Sequence, residues 1–379
     1  MKQNKQDSLW KQALELHEKA IVIDTHCDTP ELMIDGVLDI SKKNKFSNVD
    51  LVKMKEGGVD AVFFVVYVSN KLDKKHPSIH ALNKIDEIHR QAEQYRQFVE
   101  IARSPQDIKR IHSKHKKAIV LALENGGAIE GNLRILRDYY RLGIQYITLT
   151  HFRNNDICDS SGARKPRWNG LSPFGKKVVT EMNRLGMLID VSHISDKAFY
   201  DVLKESRAPV VASHSSARAI CDVPRNMNDD MIRALAKKGG VMQINFYSEF
   251  IDYRFHQHYK KVFRKHEKER ENIKKRNKNN VQAFYQAATQ LRQKYAPPAV
   301  DADKLIEHID HVVKLVGVDY VGLGSDYDGA DYFPAGLETI ASYPLITYKL
   351  LQRGYSEEEI VKILGGNFLR VWEKVTEEG

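Results

Sequence analysis

Short, wholly apolar runs alternate with longer amphipathic segments along most of the chain. The runs at residues 61–67 and 118–123 contain no charged side chain, which is typical of strands buried on both faces of a parallel sheet. Residues 78–101, 174–185 and 229–238 carry apolar side chains at helical spacing, and we predict helices there. The pattern therefore indicates strands and helices that alternate in sequence.

Eight apolar runs qualify as strands of this kind. They lie at residues 21–28, 61–67, 118–124, 146–151, 187–193, 209–214, 239–247 and 320–326. Eight strands with intervening helices make up a (β/α)8 barrel, so we predict the α/β class and a TIM-like barrel. We expect a single domain over residues 1–379, in which a helix within residues 1–20 packs on the barrel.

One segment, residues 248–300, interrupts the alternation between the seventh and eighth predicted strands. Its stretch 251–296 holds 13 Lys or Arg against 4 Asp or Glu, which accounts for the whole net charge of +9. We predict a charged helical insertion, folded as a hairpin that protrudes from the barrel. A solvated helix face is the usual meaning of such charge, so we expect no nucleic-acid partner, although the role of this segment stays open.

The composition, with 42% hydrophobic and 29% charged residues, is typical of a soluble globular protein. The longest apolar stretch, residues 61–68, is far shorter than the roughly 20 residues that cross a bilayer, and the C-terminal stretch is charged. We therefore expect no membrane span and no anchor. Cys27, Cys158 and Cys221 are too few and too far apart for a disulfide framework, which favours the cytoplasm. The alternative is a periplasmic or secreted protein whose leader has been removed.

Nearly every predicted strand ends in a group that can bind a metal ion or move a proton. His26 and Asp28 are two residues apart in a strand, so their side chains point the same way. In a barrel the C-terminal ends of all strands meet at one mouth. The groups that meet there are His26, Asp28, Glu124, His151, His193, His214, Tyr247 and Asp326.

Imidazole and carboxylate groups are typical zinc ligands, and a carboxylate that bridges two ions holds them about 3.5–4 Å apart, with a shared hydroxide as nucleophile. His26 and Asp28 suit one ion and His193 and His214 the other, with Glu124 as the bridge. The sequence thus predicts a binuclear metal centre at the barrel mouth.

The chain also carries an ordered set of short motifs between about residues 20 and 372. They are Asp24-Thr-His-Cys-Asp28, Glu124-Asn-Gly-Gly127, Leu149-Thr-His151, Asp190-Val-Ser-His193, Ser213-His-Ser-Ser216, Pro224-Arg-Asn226, Val241-Met-Gln-Ile-Asn-Phe-Tyr247, Gly324-Ser-Asp-Tyr-Asp-Gly329 and Gly365-Gly-Asn367. In these motifs the chain resembles the zinc dipeptidase family that includes membrane (renal) dipeptidase, within the amidohydrolase-type barrels.

The resemblance implies a hydrolase that cleaves dipeptides, including those with a C-terminal D-residue, and that forms homodimers. It implies two Zn²⁺ per chain, bridged by Glu124 and a water or hydroxide. The ligands would be His26, Asp28 and Glu124, with Asp326 close to or on the same ion, and Glu124, His193 and His214 for the second. By the same resemblance Asp326 transfers the proton and His151 stabilises the oxyanion of the tetrahedral intermediate.

A dipeptide also ends in a carboxylate, which requires a cation in the site. Arg225 can make a bidentate contact with it, and it matches the family's arginine. Tyr247 matches a family tyrosine that touches the same carboxylate. The chain departs from the renal-type enzymes at Thr29-Pro-Glu-Leu32, where they carry an aromatic residue, and in residues 152–168, so the side-chain preference stays open.

Other functions are compatible with parts of this pattern. Another amidohydrolase reaction, such as deamination or lactone hydrolysis, would use the same barrel, but Arg225 argues for a carboxylate-bearing substrate. A binding protein that acts through the basic insertion is a second alternative. A serine hydrolase fits poorly because no Gly-x-Ser-x-Gly motif occurs.

Overall fold

Nine parallel strands form the centre of the computed structural model, which describes residues 2–70, 76–295 and 297–379. The strands are β1 (Ile23–Cys27), β2 (Ala61–Tyr67), β3 (Val99–Ile101), β4 (Lys117–Glu124), β5 (Ile144–Thr148), β6 (Leu188–Asp190), β7 (Val211–Ser215), β8 (Val241–Ile244) and β9 (Val321–Leu323). Eight of them follow one another in the order β1-β2-β4-β5-β6-β7-β8-β9, and β3 extends the sheet beside β4. The seventh and eighth predicted strands are therefore β8 and β9.

The barrel is closed where the first and last strands end. The Asp28 N–H donates to the Tyr327 carbonyl at 2.8 Å, and the Asp326 N–H donates to the His26 carbonyl at 3.0 Å. A parallel bridge between Cys27 and Tyr327 joins the two segments at the same place. This arrangement confirms the predicted α/β class and the TIM-like barrel.

Alternation along the strands divides the apolar side chains between two cores. On β2, Phe63 and Val65 point into the barrel, whereas Phe64 and Val66 point out towards the helices. Inside the barrel the Phe63 ring lies 5.5 Å from Tyr146 on one side and 5.0 Å from Phe368 on the other. The interior is thus a packed core, and its upper layer reaches the mouth through Tyr146.

Sixteen helices are found among the described residues. They are α1 (Lys2–Lys19), α2 (Pro30–Ile34), α3 (Leu51–Glu56), α4 (Pro77–Gln94), α5 (Pro105–His112), α6 (Leu133–Leu142), α7 (Pro173–Leu185), α8 (Asp196–Glu205), α9 (Asp229–Lys237), α10 (Ser248–Ile251), α11 (Tyr253–Arg276), α12 (Val281–Lys294), α13 (Asp303–Val316), α14 (Pro344–Arg353), α15 (Glu357–Val361) and α16 (Asn367–Glu377). Side chains at N-cap positions start several of them: Ser172, Ser195 and Asn228 each accept a backbone N–H three residues on.

The predicted helix over residues 78–101 was wrong at its C-terminal end. The helix α4 ends at Gln94, and Val99–Ile101 forms β3, which pairs with the first residues of β4. A tight turn separates the two, because the Phe98 N–H bonds back to the Tyr95 carbonyl. A three-residue strand is too short to have a period of its own, so the charged, helix-like spacing before it extended the prediction.

The segment between β8 and β9 contains two long antiparallel helices, α11 and α12. At its base the ring of Tyr259 packs 5.5 Å from Tyr332. Further along, the Tyr285 hydroxyl donates to Asp35 at 2.9 Å, which brings α12 against the loop that follows β1. This pair of helices therefore borders the mouth on the β8, β9 and β1 side.

The N-terminal helix α1 packs on α14 through Trp10, whose ring lies 5.6 Å from Tyr348. Among the described residues, no helix combines the length and apolar character that a membrane crossing requires.

A buried histidine on α13 ties two mouth loops to the body of the protein. His308 Nδ1 accepts the Ala217 N–H at 3.0 Å, so its Nε2 carries the proton and donates to the Ile251 carbonyl, also at 3.0 Å. Burial lowers the pKa of His308 from 6.5 to about 4. The neutral ring therefore stabilises the fold fully above pH 6.5, and this contribution is lost as the pH falls from 6.5 towards 4.

Replacement of His308 by glutamine, which still offers a donor and an acceptor, is expected to reduce the acid sensitivity of the fold. Between pH 7 and pH 4.5, the free energy of unfolding of the variant should fall by about 2 kcal/mol less than that of the wild type. Urea unfolding of both metal-free proteins at the two pH values measures this difference. If both proteins lose the same free energy of unfolding between the two pH values, the lowered pKa of His308 would be contradicted.

Candidate active site

Four of the predicted site histidines converge on one carboxylate oxygen at the mouth. The oxygen is Oε1 of Glu124, the last residue of β4. The Nε2 atoms around it lie at 3.0 Å (His193), 3.4 Å (His214), 3.8 Å (His26) and 3.9 Å (His151). Asp28 Oδ2 lies 3.6 Å from His26 Nε2, and the rings of His26 and His214 stack at 3.5 Å. These side chains form one cluster rather than separate sites.

Within this cluster, three overlapping groups have ligand atoms within 4.8 Å of one another. The groups are His26, His214 and Asp326; Glu124, His151 and His193; and His26, Asp28 and Glu124. The last of these is the predicted ligand set of the first ion. The other two differ from the predicted set for the second ion, because they place His214 beside Asp326, and His151 beside His193. The division of ligands between two ions therefore stays a prediction.

Two of the site residues sit in left-handed backbone conformations that few non-glycine residues adopt. The φ angles are 68° at His193 and 66° at Asp326. Each such residue costs on the order of 1–3 kcal/mol and persists where the surroundings hold it. For His193, the carbonyl accepts the Ser161 N–H at 2.8 Å. The chain thus accepts backbone strain at the positions that aim these side chains into the centre.

Close packing of the mouth loops explains one glycine. A Cβ atom on Gly329 would lie 2.1 Å from Asp28 Oδ2 and 2.7 Å from Asp326 Oδ1. Any side chain at this position would therefore displace two predicted ligands, which accounts for the glycine in the Gly324–Gly329 motif.

The tautomer of His26 follows from its neighbours inside the barrel. Its Nδ1 lies 2.8 Å from the Tyr146 hydroxyl, which donates its own proton to the Thr25 carbonyl at 3.0 Å. The Tyr146 oxygen can then only accept, so Nδ1 carries the hydrogen. In the neutral ring, the lone pair is therefore on Nε2, which faces Asp28 and Glu124; this buried atom has no hydrogen-bond partner.

The charges of the cluster also favour a bound cation. Burial raises the pKa of Glu124 well above its usual range, and it raises the pKa of Asp326 to about 6. Burial lowers the pKa of His26, but the carboxylates of Glu124, Asp28 and Asp326 together outweigh it and raise that pKa to about 9. Burial lowers the pKa of His193 and His214 well below the usual range.

Imidazoles and crowded carboxylates that share one centre have the donor chemistry of a zinc site. The orphaned Nε2 atom of His26 faces the carboxylates, and a divalent cation between them would take the place of its proton. The residues present therefore fit a metal ion.

Two members of this cluster, His151 and Asp326, have predicted roles in the reaction. His151 is half-buried between the rings of Tyr67 (4.9 Å) and Phe152 (4.3 Å), and the loss of solvent lowers its pKa to about 3, so its ring is neutral at pH 7. Asp326 accepts the Asn245 side-chain N–H at 2.9 Å. The arrangement provides one neutral N–H donor and one fixed carboxylate beside the predicted metal ligands.

Arg225 is buried in the loop after β7 and points back towards the centre. Its guanidinium donates to the Ser215 hydroxyl at 2.9 Å and to the His214 carbonyl at 2.5 Å, whereas the buried Nε has no partner. It lies 5.6 Å from the ring of Phe250, and the ring of Tyr247 lies 5.0 Å from the same phenyl group. Phe250 thus contacts both of the predicted carboxylate-binding residues.

Sequence reasoning missed the residues that hold the ligands. These are Tyr146 behind His26, Ser213 and Asp190 behind His214, and Asn245 beside Asp326. Ser213 and Asp190 belong to quoted motifs, but only the folded chain shows which ring nitrogen or oxygen each one contacts.

The chain is similar to known dipeptidases over nearly all of its length. The sequence profile of the membrane dipeptidase family (peptidase family M19) matches residues 10–378. Dipeptidase 3 of Rattus norvegicus is 30% identical over 376 residues, which cover 97% of this chain and 67% of the relative. The chain thus spans about two thirds of the length of that relative.

Solved structures share the fold as well. The probable dipeptidase PvdM from Pseudomonas aeruginosa superposes with a TM-score of 0.86 at 26% identity, over 98% of this chain and 100% of that chain. A metallopeptidase from Rhodobacter sphaeroides, liganded with a phosphinate mimic of the dipeptide L-Ala-D-Ala, has a TM-score of 0.77 at 22% identity, over 94% and 99% of the two chains.

Proposed function

Because this chain belongs to the membrane dipeptidase family of metallopeptidases, hydrolases that act on peptide bonds, we propose that it cleaves dipeptides with two zinc ions at the barrel mouth. The observation that supports this most directly is the convergence of four imidazole Nε2 atoms on Glu124 Oε1, with the Arg225 guanidinium beside them. A metal centre next to a buried cation suits a substrate with a scissile amide close to a free carboxylate.

In this proposal His26, Asp28 and Glu124 hold one zinc ion with Asp326 beside it, and Glu124, His193 and His214 hold the other. Bound there, the ions would acidify a bridging water towards a pKa of about 7 to give the hydroxide nucleophile, and would polarise the scissile carbonyl. Asp326 takes the proton of the nucleophile and passes it to the leaving amine. His151, which is neutral, donates its ring N–H to the developing oxyanion.

The substrate carboxylate is assigned to Arg225, with Tyr247 next to it across Phe250. The unpartnered Nε of Arg225 leaves one donor for a ligand. Acceptance of a C-terminal D-residue is part of the proposal, since the Rhodobacter sphaeroides metallopeptidase of the same fold was liganded with a mimic of L-Ala-D-Ala. We also propose a homodimer, and a cytoplasmic location that accords with three free, buried cysteines.

The experiment that tests this function is metal analysis together with a panel of L,L and L,D dipeptides, before and after chelation. We expect about two zinc ions per chain, with cleavage that is lost on chelation and restored by zinc. Two metals without dipeptide cleavage would favour deamination or lactone hydrolysis in the same barrel. Cleavage by a folded, metal-free protein would contradict the metal centre.

The role of Arg225 predicts a change in binding rather than in chemistry. Replacement by lysine, which keeps the charge but loses the two-pronged donor, should raise KM for dipeptides about 10- to 100-fold and change kcat less. Dipeptide amides provide the second measurement, because the variant should distinguish the acid from the amide less strongly than the wild type does. The matched control is Arg218→Lys, since Arg218 in the same loop is paired with Asp196. Unchanged discrimination in the Arg225 variant would count against this assignment.

A further inference from the structure

Asp190, the last residue of β6, is a buried carboxylate that no part of the proposed reaction uses. Its Oδ1 accepts the backbone N–H groups of Ser192 at 3.0 Å and of Ser213 at 2.8 Å. Its Oδ2 accepts the hydroxyls of Ser213 at 2.7 Å and of Thr148 at 2.5 Å. All four lone-pair directions of the carboxylate are therefore occupied by donors from β5, β7 and the loop after β6.

The direction of one of these bonds sets the state of His214. Because Ser213 donates its only hydroxyl proton to Asp190, its oxygen can only accept from the His214 Nδ1 that lies 2.7 Å away. Nδ1 therefore carries the ring hydrogen, and Nε2 is a lone pair. That lone pair lies 3.4 Å from Glu124 Oε1 and 2.9 Å from His193 Nε2, in the middle of the centre.

We propose that Asp190 is a positioning residue that acts through Ser213 to lock His214 in the tautomer whose Nε2 can bind a metal ion. The inference rests on the proposed metal centre. In this role Asp190 decides which way the hydrogen bonds from His214 through Ser213 point, and not only how many hydrogen bonds are made.

An isosteric substitution can reverse the direction of these hydrogen bonds while it keeps their number. In Asp190→Asn, the two backbone N–H groups require the amide oxygen at the Oδ1 position, so the amide NH₂ takes the Oδ2 position. There it donates to the hydroxyls of Ser213 and Thr148, which both accept. All four hydrogen bonds are kept, but the Ser213 proton is released towards His214 Nδ1. The ring hydrogen then moves to Nε2, which cannot bind a metal ion.

The neighbouring substitutions provide graded comparisons. Ser213→Ala removes the hydroxyl, so His214 loses its enforced tautomer without acquiring the wrong one. Thr148→Val removes the other hydroxyl from Oδ2 and leaves the chain from Asp190 to His214 intact. A purely structural role for Asp190 predicts the opposite ranking, because the asparagine variant preserves the most contacts.

The test measures zinc affinity by competition with a chelator, and the His214 tautomer by ¹⁵N NMR of the metal-free protein. We expect Asp190→Asn to weaken the affinity for the zinc ion held by His214 about 10- to 100-fold. Ser213→Ala should weaken this affinity less, and Thr148→Val should match the wild type. The NMR spectrum should show hydrogen on Nδ1 in the wild type and on Nε2 in Asp190→Asn.

Wild-type zinc affinity in Asp190→Asn, or an Nδ1-protonated ring in that variant, would overturn the inference. If Asp190→Asn does not fold, Ser213→Ala decides by NMR: the Nδ1-protonated fraction of His214 should fall, and an unchanged fraction overturns the inference. A wild type that binds no zinc would contradict the proposed function, while the tautomer measurement on metal-free protein would still test Asp190.

Discussion

Replacement of Asp326 by asparagine is expected to lower kcat for dipeptides about 10²- to 10⁴-fold. The substitution keeps the size of the side chain, and asparagine tolerates the left-handed backbone (φ 66°) at this position. The amide cannot take a proton from the nucleophile or pass one to the leaving amine. Steady-state kinetics together with zinc content measures the effect, because a loss of kcat at full zinc occupancy isolates proton transfer from metal binding.

The matched control for this variant lies two residues away. Asp328 has the same φ of 66°, but its carboxylate accepts bonds from Thr29, Ser47 and the Asn48 N–H, and it anchors the loops around β1. Asp328→Asn should lower the free energy of unfolding and keep kcat within about tenfold of the wild type. Equal losses of kcat in both variants would show that the loop, and not the Asp326 carboxylate, matters for the reaction.

Replacement of Glu124 by glutamine is expected to lower kcat/KM by at least about 10³-fold, equivalent to about 4 kcal/mol in the barrier. Glu124 Oε1 lies within 4 Å of the Nε2 atoms of all four site histidines, so both proposed ions would depend on its charge. Zinc content should fall along with the activity. The measurement is kcat/KM with zinc analysis, and Glu181→Gln, on the surface beside Arg184, is the control that should change neither.

The same substitution should have the opposite effect on the metal-free fold. Burial raises the pKa of Glu124 well above its usual range; the charge of His26 opposes this rise, and the charges of Asp28 and Asp326 add to it. An acid with a raised pKa destabilises the fold at neutral pH, since the unfolded chain releases a proton that the folded chain retains. Glu124→Gln removes this destabilisation, so the metal-free variant should have a higher melting temperature than the metal-free wild type. A lower melting temperature would contradict the electrostatic account of the centre.

The barrel and the membership of the site could be predicted because both depend on the ends of strands. An apolar run that stops at a histidine or carboxylate places that group at the mouth. His26, Glu124 and His214 could therefore be placed there even though the exact ends of their strands were not known. His193 and Asp326 each lie three residues beyond their strands, where left-handed backbone turns aim them back. Periodicity does not describe such turns, so the predicted strands 187–193 and 320–326 were too long.

The rest of the site depends on contacts between distant residues. Tyr146 reads as an ordinary apolar strand residue, yet its hydroxyl reaches His26, 120 positions earlier in the chain. Tyr247 was predicted from a motif at a strand end, but it lies beyond β8 against Phe250. Such pairings follow from how the strands stagger around the barrel, which local sequence patterns do not encode.

The closure of the barrel between β1 and β9 has a consequence for folding. The Ser325 N–H bonds to Asp24, which is 301 residues away, and the adjacent bonds fix the backbone of His26, Asp28 and Asp326. Contacts of such sequence separation form late, because the entropy of closing so long a loop is lost before they contribute. The first and last strands therefore meet in the step that also completes the proposed ligand set, so tight uptake of the proposed zinc ions would be a property of the finished barrel and would distinguish it from partly folded chains.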